Sequence, residues 1–85
     1  MFTLMVDCSG FPLEHATYVV GINGELIATA YLPAAEIAGY ASSDSRITEI
    51  KLQGMADYCY GIKEEIEKQL ALEYSNNKIK VEVVE

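Results

Sequence analysis

Cysteine and histidine are the residues from which nucleophilic or metal chemistry would first be expected, and this chain has few of them. Cys8 and Cys59 lie 51 positions apart, and His15 is the single histidine. This spacing fits neither a zinc site nor a CxxC redox pair. Cys59 falls on an apolar helical pattern, and the negative charge of Asp7 disfavours a thiolate at the neighbouring Cys8. We therefore expect two reduced thiols that are not nucleophiles, and we place His15 in a loop.

The sequence also lacks the motifs of common catalytic sites. It has no glycine-rich dinucleotide loop, no phosphate-binding loop, no nucleophile elbow and no HExxH zinc motif. We expect no cofactor and no complete active site.

The charge of the chain restricts its partners. Thirteen acidic residues against six basic ones give a net charge of −7, which repels a phosphate backbone and suits contact with a basic protein surface, although solubility alone would also account for it. No apolar run approaches the roughly 20 residues that cross a bilayer, and no basic segment precedes an apolar one at the N-terminus. We therefore expect a cytoplasmic protein that binds another protein, with no direct nucleic-acid binding and no membrane contact.

Tyrosine is unusually frequent, with six residues in a chain of 85. Tyrosine is favoured at interfaces because it combines a large apolar area with a hydrogen-bonding tip, although packing over the sheet edges would also account for several of these rings. Two acids on the outer face of a predicted helix are added to these tyrosines as candidate binding residues. The candidate binding residues are Tyr31, Tyr40, Tyr58, Tyr60, Asp57 and Glu64.

The first half of the sequence predicts three strands. An apolar run over Phe2 to Asp7 predicts the first. Two β-prone runs, 16–22 and 25–32, flank Asn23-Gly24, and this pattern is typical of a hairpin with a type I′ turn. Residues 33–45 fit either a short helix or a fourth short strand.

The second half predicts one long helix and a last strand. The oxygen-rich segment 42–45 is suited to a helix start, with Glu49 near the first turn. An apolar stripe at spacings of three and four would pack on the sheet: Leu52, Met55, Cys59, Ile62, Ile66 and Leu70. Gly54 and Gly61 lie inside this helix; close packing against a strand or a partner would account for them, and so would a tolerated weakness of the helix.

The helix is expected to stop at Ser75-Asn76-Asn77, with Asn in the left-handed cap position. Residues 78–84 alternate as a strand, which we expect to pair parallel to the first. The prediction is a single α+β domain over 1–85, with a small mixed sheet in β-β-β-α-β order and one long amphipathic helix packed on one face.

The strand that ends Val6-Asp7-Cys8-Ser9-Gly10, the hairpin and the helix entry over 45–50 together resemble a truncated ribonuclease H-like domain. In that family an Asp at the end of the first strand and a Glu early in the first helix bind two divalent metals, so the resemblance makes Asp7 and Glu49 the metal ligands and magnesium the metal. The family has a further Asp just past its fourth strand. The predicted fourth strand runs to the end of this chain, so the metal set is expected to be incomplete.

The chain also resembles HicB-type antitoxin domains, small acidic units that cover the active site of a toxic ribonuclease. The likeness rests on Leu32-Pro33, then Gly39, then Asp44-Ser45 with Glu49 following. Ala34 replaces the Gly that directly follows Leu-Pro in that family, and an additional strand precedes the hairpin. The resemblance implies an inhibitory partner-binding role at the level of fold analogy.

The function expected from these observations is a non-enzymatic acidic module, antitoxin-like or of the phage inhibitor type, that contacts a basic nucleic-acid-processing protein. One alternative is a vestigial or partial ribonuclease H-like nuclease that would use Asp7, Glu49 and magnesium. The other is a self-assembling structural subunit, since exposed sheet edges can pair two copies into a homodimer.

Overall fold

The structure is a computed structural model, and it describes residues 1–7, 15–21, 26–28 and 34–84. The described elements, in chain order, are β1 (Phe2–Asp7), β2 (His15–Gly21), β3 (Leu26–Ala28), α1 (Ala34–Ser43), β4 (Ile47–Gln53), α2 (Ala56–Leu72) and β5 (Lys80–Val83).

The strands form one mixed sheet in the order β3-β2-β1-β4-β5. β2 pairs antiparallel with both β1 and β3, as the predicted hairpin requires, while the Asn23-Gly24 turn lies outside the described residues. β4 pairs parallel with β1 on one side and with β5 on the other. An α+β fold with a small mixed sheet and a long amphipathic helix on one face is confirmed.

One hydrophobic core joins the sheet to both helices. Leu4 and Val6 from β1 and Ile50 and Leu52 from β4 are fully buried. In the register of the parallel pair, Leu4 lies beside Ile50 and Val6 beside Leu52, so these four side chains share one face of the sheet. The helices cover this face with Ile37, Ala38, Ala41, Cys59, Ile62, Ile66 and Leu70.

The segment in which we predicted the helix to begin is strand β4, and this prediction was wrong. Leu52 is buried in that strand, whereas Met55, expected on the apolar stripe, is 54 % exposed and precedes α2 as its N-cap, with no side-chain cap hydrogen bond. The helix-like spacing of apolar residues from 52 to 59 therefore spans the end of β4 and the start of α2, and does not lie within one helix. Only the four later positions of the stripe lie on α2, and all four are buried: Cys59, Ile62, Ile66 and Leu70.

The strand that was not predicted, β4, also changes the position of the last strand, β5, in the sheet. β5 pairs parallel to β4 and not to β1, because β4 occupies the position beside β1. His15, expected in a loop, is the first residue of β2 and pairs with Asp7. The segment left open between helix and strand is α1 over most of its length.

The C-terminal end of α2 closes through a backbone turn. The residue with positive φ after α2 is Ser75, at 47°, and not an asparagine as predicted. This turn lets the Asn76 backbone N–H donate to the Leu70 carbonyl at 2.7 Å, while its side-chain amide donates to Ser42 Oγ at 3.2 Å. Tyr74 lies over Gly39 of α1, where an added Cβ would come within 2.5 Å of the Tyr74 hydroxyl. The end of α2 is thereby held against α1.

The two glycines expected inside the long helix have different roles. Gly54 lies between β4 and α2 with φ of 132°, a conformation that side-chain-bearing residues rarely adopt, so it ends the strand before the helix starts. Gly61 lies within α2, and a Cβ there would meet nothing within 4 Å. The expected close packing of Gly61 against a strand is therefore wrong.

These two positions give opposite expectations for the same substitution. Gly61→Ala should raise the free energy of unfolding by about 1 kcal/mol, because alanine is the better helix former and has open space there. Gly54→Ala should lower it by about 1 kcal/mol or more, because the backbone conformation is strained for alanine. Urea unfolding of both variants beside the wild type measures this. Equal effects of the two substitutions would contradict the placement of the strand-helix boundary at Gly54.

Candidate interaction surfaces

The outer side of α2 carries half of the acidic residues in the described part of the chain. We call the exposed residues of α2 and the two that follow it the outer α2 face; its acids are Asp57, Glu64, Glu65, Glu67 and Glu73. Lys68 is the exposed base of this face, while Lys63 is half-buried and forms an ion pair with Glu67 at 3.4 Å. The face is therefore strongly acidic.

Large apolar side chains lie along the same helix. Of the six exposed large hydrophobic residues among the described ones, four belong to α2 or flank it: Met55, Tyr60, Leu72 and Tyr74. Tyr60 is 49 % exposed and Leu72 is 71 % exposed, so each has area to lose on binding. Exposed apolar and tyrosine side chains beside charged ones are typical of protein interfaces, in which a few such anchors carry most of the binding energy.

The face of the sheet opposite the core has a different character. We call it the open sheet face, because no helix in the described part of the chain covers it; its members are Thr3, Met5, Glu49, Lys51, Gln53, Lys80 and Glu82. Among the side chains of this face that the structure describes, two acids and two bases balance. Thr3 Oγ1 donates to Glu49 Oε1 at 2.5 Å, and Lys80 Nζ lies 2.8 Å from Glu82 Oε1. The hydrogen bond from Lys80 lowers the pKa of Glu82, with a smaller contribution from Lys51.

The turn between α1 and β4 is fixed by one acid. Asp44 accepts the backbone N–H of Arg46 and pairs with its guanidinium at 2.7 Å, while the Asp44 carbonyl accepts the Ile47 N–H. The Arg46 guanidinium lies 4.6 Å from the centre of the Phe2 ring. Asp44-Ser45, which the antitoxin resemblance makes a helix entry, is thus a turn into a strand.

The predicted tyrosine patch is divided among several places. Tyr60 lies on the outer α2 face, whereas Tyr40 on α1 is half-buried and packs against the core. Tyr58 belongs to α2, and Tyr31 lies outside the described residues. Asp57 and Glu64 are both exposed on the outer α2 face, as expected. Tyr74, which the sequence interpretation did not single out, adds a ring that is 45 % exposed.

Asp7 and Glu49 do not come together. Glu49 pairs with Thr3 and Asp7 with Gln53, so four residue steps, about 13 Å, separate their backbones along the adjacent strands. The Glu49 carboxylate is held at Thr3 and not directed along the sheet. Carboxylates that share a magnesium ion each lie about 2.1 Å from it. Glu49, predicted in a first helical turn, therefore lies in a strand and is not placed to share a metal with Asp7.

The actual first helix and fourth strand change how the ribonuclease H resemblance maps onto the chain. The acid in the first turn of α1 is Glu36, which is exposed. The fourth strand ends at Gln53 and not at the chain end, and the next acid after it is Asp57 in the first turn of α2. Across the described residues no group of three or more His, Cys, Asp or Glu side chains could hold a metal ion.

Comparisons with protein-family models, with curated proteins and with solved structures found no significant match to this chain. In the part of the chain that the structure describes, no helix is both long and apolar enough to cross a membrane.

The Asp44 turn predicts a specific pH dependence. Its hydrogen bonds to Arg46 lower the pKa of Asp44 to about 2. Because the folded pKa lies below the unfolded value of about 3.9, the stabilisation is complete above about pH 4 and is lost as the pH falls through about 2. The stability advantage of the wild type over Asp44→Asn should shrink across this window.

An NMR titration of the Asp44 carboxyl carbon measures this directly. We expect its pKa to be about 2 in the wild type and to return towards about 3.9 in Arg46→Gln. An unchanged pKa in Arg46→Gln would show that the ion pair is not its cause.

Proposed function

We propose that this chain is a non-enzymatic protein-binding module whose outer α2 face covers a basic surface of a nucleic-acid-processing protein, as an antitoxin or a phage-type inhibitor would. The observation that carries the proposal is the coincidence, on α2 and the residues that flank it, of five exposed acids with four exposed apolar or tyrosine side chains.

Electrostatics favours this face over the rest of the described surface. Among the described side chains of the open sheet face the charges balance, with Glu49 and Lys51 on β4 and Lys80 and Glu82 on β5. The outer α2 face has five acids and one exposed base. A basic partner would therefore be attracted to the helix side of the molecule, and the attraction would raise the association rate more than the final affinity.

The exposed apolar residues of α2 provide area that can be buried on binding, which contributes affinity in addition to the electrostatic attraction. Tyr60 stands in the first half of α2, between Asp57 and Glu64, where a ring can bury area while the neighbouring carboxylates meet lysine or arginine. Gly61 beside it leaves the helix backbone open, since no atom lies near its missing side chain. A partner surface can therefore approach α2 closely at this point.

The partner can be identified by affinity capture from the native cell extract, at low salt and at about 0.5 M salt. We expect salt-sensitive recovery of a basic protein that acts on nucleic acid, and loss of that protein's activity when the purified chain is added back. Recovery of no such protein, or a recovered protein whose activity is unaffected, would contradict the proposal.

Two variants and a matched control locate the surface. Tyr60→Ala should weaken the complex about tenfold or more if the ring is an anchor, and Glu64→Gln should slow association and reduce its salt dependence. Glu49→Gln removes the same charge from the opposite side of the molecule and keeps an acceptor for Thr3, so it should bind as the wild type does. Surface plasmon resonance gives the rates. Equal effects of Glu64→Gln and Glu49→Gln would indicate overall charge and not the outer α2 face.

A second candidate function is a magnesium-dependent nuclease of the ribonuclease H-like type. The order of elements favours it, because Asp7 ends β1, Glu36 lies in the first turn of the first helix and Asp57 follows the fourth strand, but the described residues hold no group of three such side chains that could bind a metal ion. Cleavage of RNA or DNA with magnesium, abolished by Asp7→Asn and by Glu36→Gln, would support this candidate and overturn the non-enzymatic proposal. We expect no cleavage above background.

A further inference from the structure

The outer edge of β5 is free to accept another strand. β5 is the last strand of the sheet, and no strand of the described residues lies beyond it. The Val84 N–H donates to the Leu52 carbonyl in β4 at 2.7 Å. Since the direction of backbone groups alternates along a strand, the N–H and C=O groups of Val81 and Val83 point away from β4, toward the open edge.

The side chains of β5 alternate in a self-complementary way. Val81 is buried and Val83 is half-buried, and with Ile79 they belong to the core face. Lys80 and Glu82 stand on the open sheet face, as an exposed base and a half-exposed acid. An antiparallel partner strand with the same sequence would therefore find apolar residues on one face and opposite charges on the other.

Only one register uses all of these features. When Val81 faces Val81 of a second copy, the outward backbone groups form a hydrogen-bonded pair, and Val83 faces Ile79. In the same register Lys80 faces Glu82 and Glu82 faces Lys80. A shift by one residue puts core side chains opposite open-face ones. A shift of the register by two places Lys80 opposite Lys80 or Glu82 opposite Glu82, and in neither case does Lys80 face Glu82.

We propose that two copies of this chain associate edge to edge through antiparallel pairing of β5 with β5, in the register centred on Val81. The two five-stranded sheets become one continuous sheet across a two-fold axis, and the core faces of both copies lie on the same side. The β5 contact uses backbone groups and side chains of β5, none of which belongs to the outer α2 face, so the two proposed surfaces have no residue in common.

Charge reversals on β5 test both the contact and its register. Lys80→Glu gives a strand with two acids, and Glu82→Lys gives one with two bases, so each variant alone opposes like charges. Because two symmetric pairs change from attractive to repulsive, each variant should dimerise about tenfold more weakly than the wild type. Sedimentation equilibrium from about 10 µM to about 1 mM measures the dissociation constants.

Mixing the two variants is the decisive measurement. In a mixed dimer every acid faces a base, so a mixture should dimerise as strongly as the wild type although neither variant alone retains the ion pair within its strand. The double variant Lys80→Glu with Glu82→Lys should likewise dimerise as the wild type does. Lys68→Glu, the same charge reversal on α2, should leave dimerisation unchanged, and circular dichroism verifies that each variant is folded.

Three results would overturn the proposed β5 dimer. A wild type that is monomeric at about 1 mM, a dimer insensitive to both reversals, or a mixture that does not recover association would each overturn the proposal. Capture of a foreign partner does not bear on it, because that experiment tests the outer α2 face, and either surface can fail without the other.

Discussion

Parallel pairing of β4 between β1 and β5 is the constraint on which the rest of this structure depends. β4 brings Ile50 beside Leu4 and Val81, and Leu52 beside Val6 and Val83, so one strand assembles the sheet side of the core from three distant segments. Its two parallel neighbours require crossover connections. α2 provides the second of these, and its buried stripe covers the core that β4 creates.

This arrangement also sorts the charges of the molecule. Because the core lies on one face of the sheet, the helices expose their polar sides on one side of the molecule and the strands expose theirs on the other. The strands carry alternating acids and bases that neutralise one another within reach of an ion pair, as Lys80 and Glu82 do at 2.8 Å. The helix side has no such balance. The acidic surplus of the described residues is therefore concentrated on α2, together with exposed apolar side chains. The outer edge of β5, where Lys80 and Glu82 balance, is suited instead to pairing with β5 of a second copy.

Elements with a single clear hydrophobic period were predicted correctly from the sequence. Strand β4 was not predicted, because its apolar residues continue the helical spacing of α2. β1 is found with the predicted bounds, the β2-β3 pairing follows the hairpin pattern, and the four buried positions of α2 follow the helical stripe. β4 was missed because Leu52 and Met55 continue that stripe backwards across Gly54. The strand-helix boundary is set by a φ of 132° at this glycine, a property of the backbone that residue type alone does not reveal.

The same error displaced the candidate site. With the helix start assigned to 42–45, Glu49 fell in a first helical turn near Asp7, whereas its actual register opposes Thr3. The segment 42–45 was expected to start a helix, yet the Asp44 carboxylate accepts the Arg46 N–H in a turn that leads into a strand. Both arrangements use an acid to accept a nearby backbone N–H, so the residue types do not distinguish them. Asp57 and Glu64 were correctly expected on an exposed face of α2, because the helical period holds over this part of the chain.

The most direct test of the proposed role of α2 is to map the bound surface by NMR. Amide chemical shifts of the isotope-labelled chain would be followed as the captured basic protein is added. We expect the changes to concentrate on the exposed positions of the outer α2 face, at Asp57, Tyr60, Glu64 and Lys68, while Thr3, Glu49 and Lys51 on the open sheet face stay unchanged. Changes centred on the open sheet face, with α2 unaffected, would contradict the assignment of the acidic helix as the binding surface.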